Sequence, residues 1–177
     1  MRKFRFVAFA FMALLILVIP AASAELKIAY ADLQRALNQC DAGVKAKEDL
    51  KKEAMELEKE LDVEQEELKK FKEEIDKKRS VWNAETLKAK EEEFKTRSQE
   101  FQTKFMEYND RLNERKLDKE AEIIKELRDA VVEIADRDGY TYVFEISVGG
   151  IIHAPEDADI TEEVIKIHNE KTKKKTR

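Results

Sequence analysis

The chain has 177 residues, of which 41% are charged, and its 34 basic and 39 acidic residues leave a net charge of −5. That balance excludes the basic footprint of a nucleic-acid-binding protein. One cysteine, Cys40, excludes an internal disulfide, so stability has to come from packing and association.

The N-terminus reads as a Sec signal peptide. Met1–Arg5 is short and basic, Phe6–Ile19 is uncharged and apolar, Pro20 breaks the run, and Ala22-Ser23-Ala24 supplies a small-x-small cleavage pattern. The apolar run is short for a membrane span, which takes about 20 residues. Cleavage is expected after Ala24. The first 24 residues hold Arg2, Lys3 and Arg5 and no acid, so the exported chain keeps 31 basic against 39 acidic residues, a balance of −8.

Residues 25–43 open the body. Leu26–Asp32 alternates large apolar with small or polar side chains, the period of a half-buried strand. Cys40 then reads as a half-buried small residue early in a helix, or as one half of an intersubunit disulfide.

Gly43 and Gly139 bracket 95 residues without glycine or proline. Helix formers dominate residues 44–138, and two apolar seams run through them. Leu50, Ala54, Leu57, Leu61, Leu68, Phe71, Ile75 and Trp82 follow a 4-3-4-3 step that Glu64 and Lys78 interrupt. Leu87, Phe94, Phe101, Phe105, Tyr108 and Leu112 form the second seam, with Lys90 and Ser98 at weak positions. After Leu112 the phase shifts, and Ile123, Leu127, Ala130 and Ile134 form a wider face, as at the base of an arm. Each seam is too narrow for a globular core, so the pattern predicts an antiparallel helical hairpin. Its tip is expected near 80–83, where Asn83 caps the returning helix. The tip carries Lys77, Lys78 and Arg79 beside Val81 and Trp82, either as a solvated helix end or as a basic-aromatic contact point.

Residues 139–170 return to the body. Tyr140, Tyr142, Phe144 and Ile146 alternate with polar or smaller residues, Gly149-Gly150 offers a turn, and Ile151–Ala154 returns, predicting a β-hairpin. A short helix is expected from Glu162 to about Asn169 with Thr161 as its cap, followed by a solvated basic tail, 171–177, with at most weak contact to a membrane surface. Ile28, Tyr30, Tyr142, Phe144, Ile146 and Ile151 are the candidate core of this body or of the oligomer it forms. Three short strands bury little and leave open edges, so a homo-oligomer is expected. The architecture is α+β: a long antiparallel helical arm on a small β body.

No catalytic or cofactor-binding constellation is visible. His153 and His168 lie on different elements, no HExxH, paired-cysteine or phosphate-loop motif occurs, and the carboxylates interleave with lysines as solvated pairs do. No catalytic residue, cofactor or metal ligand is assigned.

The segment Lys27–Asn38 (KIAYADLQRALN) resembles the opening motif of the Skp/OmpH family of periplasmic chaperones. Ala135–Phe144, Gly150–Ala154 and Asp159–Ile165 resemble the family's ending, and the likeness covers nearly all of the exported chain. The resemblance implies a jellyfish-shaped homotrimer, with a β-barrel body built from three subunits and helical arms around a cavity. It implies ATP-independent holding of unfolded outer-membrane β-barrel proteins. Val81, Trp82, Phe94, Phe101, Lys77, Lys78 and Arg79 are then candidates for client contact, and the phenylalanines equally for packing within the hairpin. A coiled-coil spacer of the cell envelope without client-holding activity is the competing reading.

Overall fold

The computed structural model describes residues 26–175. The expected signal peptide and the last two residues of the basic tail lie outside them.

Strand β1 (Ile28–Ala31) leads into helix α1 (Leu33–Gln39), then the long helices α2 (Asp41–Lys78) and α3 (Ala84–Asp138). Strand β2 (Tyr142–Glu145), a single 3-10 turn (Glu156–Ala158) and helix α4 (Thr161–Lys175) follow. Asp32 caps α1, its carboxylate accepting from the Arg35 N–H at 2.7 Å. The cap of α2 is Cys40, whose Sγ accepts from the Gly43 N–H at 3.4 Å. Asn83 accepts from the Thr86 N–H at 2.8 Å to start α3, and Gly139, at φ 73°, ends it in the left-handed conformation that glycine adopts without strain.

The two long helices run antiparallel, because the partners cross in opposite order. Glu53 meets Arg115, Glu60 meets Tyr108, Glu64 meets Lys104, and Phe71 meets Phe94. With 38 residues in α2 and 55 in α3, the helices extend roughly 57 and 82 Å at 1.5 Å per residue. The extra length of α3 carries it back beneath the arm to the body. There Ile123, Leu127, Ala130 and Ile134 bury against Leu33, Ala36 and Leu37 of α1 and Val164 and Ile165 of α4.

This return also decides the sheet. Parallel strands need a long crossover, and here the whole arm is that crossover. β1 and β2 pair in parallel, with Ile28 opposite Tyr142 and Tyr30 opposite Phe144. On the far edge of β1 the Ile160 N–H donates to the Tyr30 carbonyl at 2.9 Å.

One sequence expectation fails here. The hairpin strand at Ile151–Ala154 does not form, so Ile151 belongs to no sheet and Ile152 is fully exposed. Glu145 explains the turn-off. Its carboxylate accepts from the N–H groups of Ser147 and Val148, both at 3.0 Å, and from that of Leu33 at 3.3 Å, which curls the chain away at Ile146. These donors hold its carboxyl below the usual range although burial opposes this. Within one chain, the side of β1 that packs on the helices carries Ala29 and Ala31, both buried, while Ile28 and Tyr30 are on the other side. Small residues let the helices approach the sheet closely, which leaves the large residues facing outward.

The C-terminal helix also differs from expectation. Thr161 is not a free cap: it is buried, receives the Asp32 N–H on its hydroxyl at 2.9 Å and donates that hydroxyl to Asp159 at 2.5 Å. Asp159 in turn takes Arg35 at 2.6 Å. The helix runs through Lys175 instead of fading near Asn169, because acids on the arm's base meet its lysines. Lys171 pairs with Glu133, Lys173 with Asp41 at 3.1 Å and Lys175 with Glu126 at 3.5 Å. Each exposed pair contributes at most about 1 kcal/mol, with a further contribution from cations at a helix C-terminus.

His168, which reads as polar from its neighbours in sequence, is only 2% exposed, and its Nε2 lies 3.2 Å from Glu126. The Cys40 thiol and the Glu126 carboxylate raise its pKa against the opposing effect of burial. Nδ1 has no partner, so the Glu126 contact is the hydrogen bond that the geometry realises. A histidine held above its unfolded value of about 6.5 stabilises fully below that pH, and the contribution is lost as pH rises through the folded value. Urea midpoints measured from pH 5.5 upward are expected to fall across this window. The same series on Glu126→Gln should show a flatter profile, and an unchanged one would remove the pair as its source.

Candidate functional site

The arm offers a surface, not a cleft. Among the described residues no group of His, Cys, Asp and Glu is placed to hold a metal ion.

The polar interruptions of the seams are satisfied across or along the hairpin. Glu64 pairs with Lys104, and Lys78 pairs with Glu74 at 2.7 Å while lying 5.6 Å over the Trp82 ring. Lys90 pairs with Glu93 at 2.8 Å and Ser98 donates to the Phe94 carbonyl at 2.8 Å. Lys104 is held above its usual pKa by the bond to Glu64. Of these contacts the Glu64–Lys104 pair crosses the hairpin and helps to fix the register of the two helices.

The candidates named from sequence separate into groups. Phe94 and Phe101 are half-buried in the hairpin, with Phe94 packed on Phe71 at 6.3 Å between ring centroids. At the tip Val81 is 79% exposed and Trp82 half-buried. Lys77, Lys78 and Arg79 surround them, but each cation has an acid: Glu73 at 3.6 Å, Glu74 at 2.7 Å and Glu91 at 2.9 Å. The tip is therefore less basic than its sequence suggests.

Phe105, placed in the seam by its heptad phase, is instead half out of it and exposed. Lys104 takes the inward position through its bond to Glu64. Met55, Val63, Met106 and Leu117 are also exposed, and their one signal in the sequence is an apolar side chain off the heptad stripe. Phe101, Phe105, Met106, Leu57, Leu61 and Leu112 bound an open crevice of about 670 Å³ halfway along the arm.

At the body, Ile28, Tyr30, Tyr142 and Phe144 share the outer face of the two-stranded sheet. Tyr142 is 56% and Phe144 46% exposed, and their rings stack at 6.3 Å. Ile146 and Ile151 are half-buried nearby, while Val148 and Ile152 are open. Four of the six core candidates from sequence, Ile28, Tyr30, Tyr142 and Phe144, thus share the side of the sheet that one chain leaves uncovered.

The described residues thus form a charged hairpin with scattered apolar side chains and a small sheet with one bare face. The chain belongs to the OmpH-like outer membrane protein family, whose model matches residues 27–167. No curated protein matches it in sequence. In structure it is similar to an OmpH-like protein of Caulobacter crescentus CB15 assigned as an outer membrane chaperone. The two share 14% identity and a TM-score of 0.76, over 81% of this chain and 84% of the other. The fold is therefore that of the OmpH-like chaperones.

Proposed function

We propose that this chain is an ATP-independent holding chaperone of the periplasm that binds unfolded outer-membrane β-barrel proteins and keeps them from aggregating. Three copies join through the bare sheet faces at Ile28, Tyr30, Tyr142 and Phe144, and the arms surround the client. The observation that carries this reading is the spread of uncovered apolar side chains along a charged arm. Val63, Val81, Phe105, Met106 and Leu117 are exposed at several levels of the arm, from Val81 at the tip to Leu117 nearer the base. No single groove fits every unfolded chain, whereas many weak contacts on flexible arms hold many sequences and release them without fuel. Val81, Trp82, Phe94 and Phe101 contribute to these contacts, and Lys77, Lys78 and Arg79 sit where they can attract acidic segments once their own carboxylates let go.

The cross-seam pairs Arg115–Glu53, at 2.7 Å, and Tyr108–Glu60, at 3.0 Å, favour a second reading, since they stiffen the arm as a spacer requires. Light scattering separates the two. A urea-unfolded outer-membrane β-barrel protein is diluted into buffer with rising amounts of the purified exported protein. Suppression that saturates near one trimer per client is expected. Aggregation as fast as in buffer alone would leave the spacer as the better account.

A further inference from the structure

A second crevice, of about 650 Å³, opens at the base of the arm between α1, α2 and α3. It lies where the seam changes phase, as the heptad stripe of α3 gives way below Leu112 to the wide base face at Ile123. Leu37, Leu50, Leu112 and Ile123 make its floor. The volume is in the range of small-molecule sites, which run from about 300 to 1,000 Å³.

Its rim differs in sign from the rest of this acidic chain. Lys47 and Lys51 stand one turn apart on α2, and Lys116 and Lys119 one turn apart on α3, against the single carboxylate of Glu120. Lys119 is engaged by Glu122 at 3.0 Å, and Lys116 lies 4.0 Å from Glu120. Lys47 and Lys51 make no ion pair among the described residues, so their ammonium groups are free to meet an anion at the crevice. Like charges one turn apart on a helix repel, so this rim is held at a small cost to the arm. The mid-arm crevice is the internal contrast: of similar size and equally apolar, it is edged by Glu58 and Asp62 and by no cation.

We infer that the base crevice binds an amphiphile with one alkyl chain and an anionic head, the chain on the leucine floor and the head among Lys47, Lys51, Lys116 and Lys119. An uncharged amphiphile would leave the lysine rim unused, and a small anion would leave the floor unused. The site is separate from the client-contacting positions of the arm, so the inference does not rest on the holding activity.

Isothermal titration of the exported protein with dodecyl phosphate and with laurate, each below its aggregation concentration, tests it. Dodecyl maltoside and inorganic phosphate serve as the uncharged and the chainless comparators. Saturable binding of one amphiphile per chain is expected for either anionic head. In Lys47→Gln/Lys51→Gln it should weaken about tenfold, with the difference shrinking as salt rises. Both lysines are exposed, so the variant keeps its helix content, which circular dichroism checks. Equal binding of dodecyl maltoside, equal binding to the variant, or no saturable binding overturns the proposal. A variant that changes the protein's mass in solution without changing amphiphile binding would show the rim to be a contact between copies, and would overturn it too.

Discussion

Replacing Gly43 with alanine is expected to destabilise the protein by about 2 kcal/mol, the reverse of what its helical setting alone predicts. Gly43 lies in the first turn of α2, where an alanine should gain about 1 kcal/mol of helix propensity. Its backbone needs no special φ. What it needs is room: a Cβ there would stand 1.8 Å from the Leu37 carbonyl oxygen and 2.9 Å from the Leu37 carbonyl carbon. Those atoms are main chain at the end of α1 and cannot swing aside, so α2 has to move off α1. Overpacking costs up to about 3 kcal/mol, which outweighs the propensity gain. The movement also pulls Cys40, fully buried, away from α4 and His168. Urea unfolding followed by circular dichroism reads the effect, with Val44→Ala, an exposed neighbour, as control. A Gly43→Ala protein as stable as its parent would mean that α1 and α2 cross less closely than described.

The double substitution Tyr142→Asp/Phe144→Asp is expected to separate the proposed trimer into single chains without unfolding them. In one chain these side chains are about half exposed, stacked on each other beside Ile28 and Tyr30, so two carboxylates there reach solvent at little cost. In an assembly whose sheets close face to face, the same carboxylates are buried without partners and stand near their counterparts on the other subunits. Removing a charge from water unpaired costs several kcal/mol. A weakening of at least about 4 kcal/mol, a thousandfold, is therefore expected. Light scattering coupled to size-exclusion chromatography gives the mass, and circular dichroism the retained helix. Holding of an unfolded β-barrel client should fall in parallel, since separated arms no longer enclose it. A variant that keeps the parent's mass would place the association elsewhere.

The two substitutions probe opposite faces of one thin body, and that body marks the limit of what the sequence discloses. Periodicity over short range settled the arm. A strict 4-3 step from Leu50 to Trp82, a second stripe from Leu87 to Leu112 and 95 residues free of glycine and proline dictate long paired helices. The reversal at Asn83 was legible because capping is a local act, made by one side chain on an N–H three residues on. The opening motif KIAYADLQRALN and the ending around Tyr140–Phe144 pointed to the family for the same reason: they are contiguous in the chain.

What needed the tertiary structure was every choice between two faces or two partners. Alternation in Ile28-Ala29-Tyr30-Ala31 announces a strand but not which side is covered. The helices of the base took the alanine side, because α1, α3 and α4 press close there. Gly149-Gly150 permits a hairpin, yet Glu145 spends its carboxylate on turning the chain, and the parallel partner delivered by the long return of α3 takes the edge instead. Phe105 fits a heptad by number, but the Glu64–Lys104 pair turned it outward. His168 and the lysines after it look solvated until Glu126, Glu133 and Asp41 are brought opposite them by folding. Helix periodicity and capping are written within a few residues. The covered side of a two-residue alternation, and the acid that meets a given lysine, depend on elements dozens to more than a hundred positions apart.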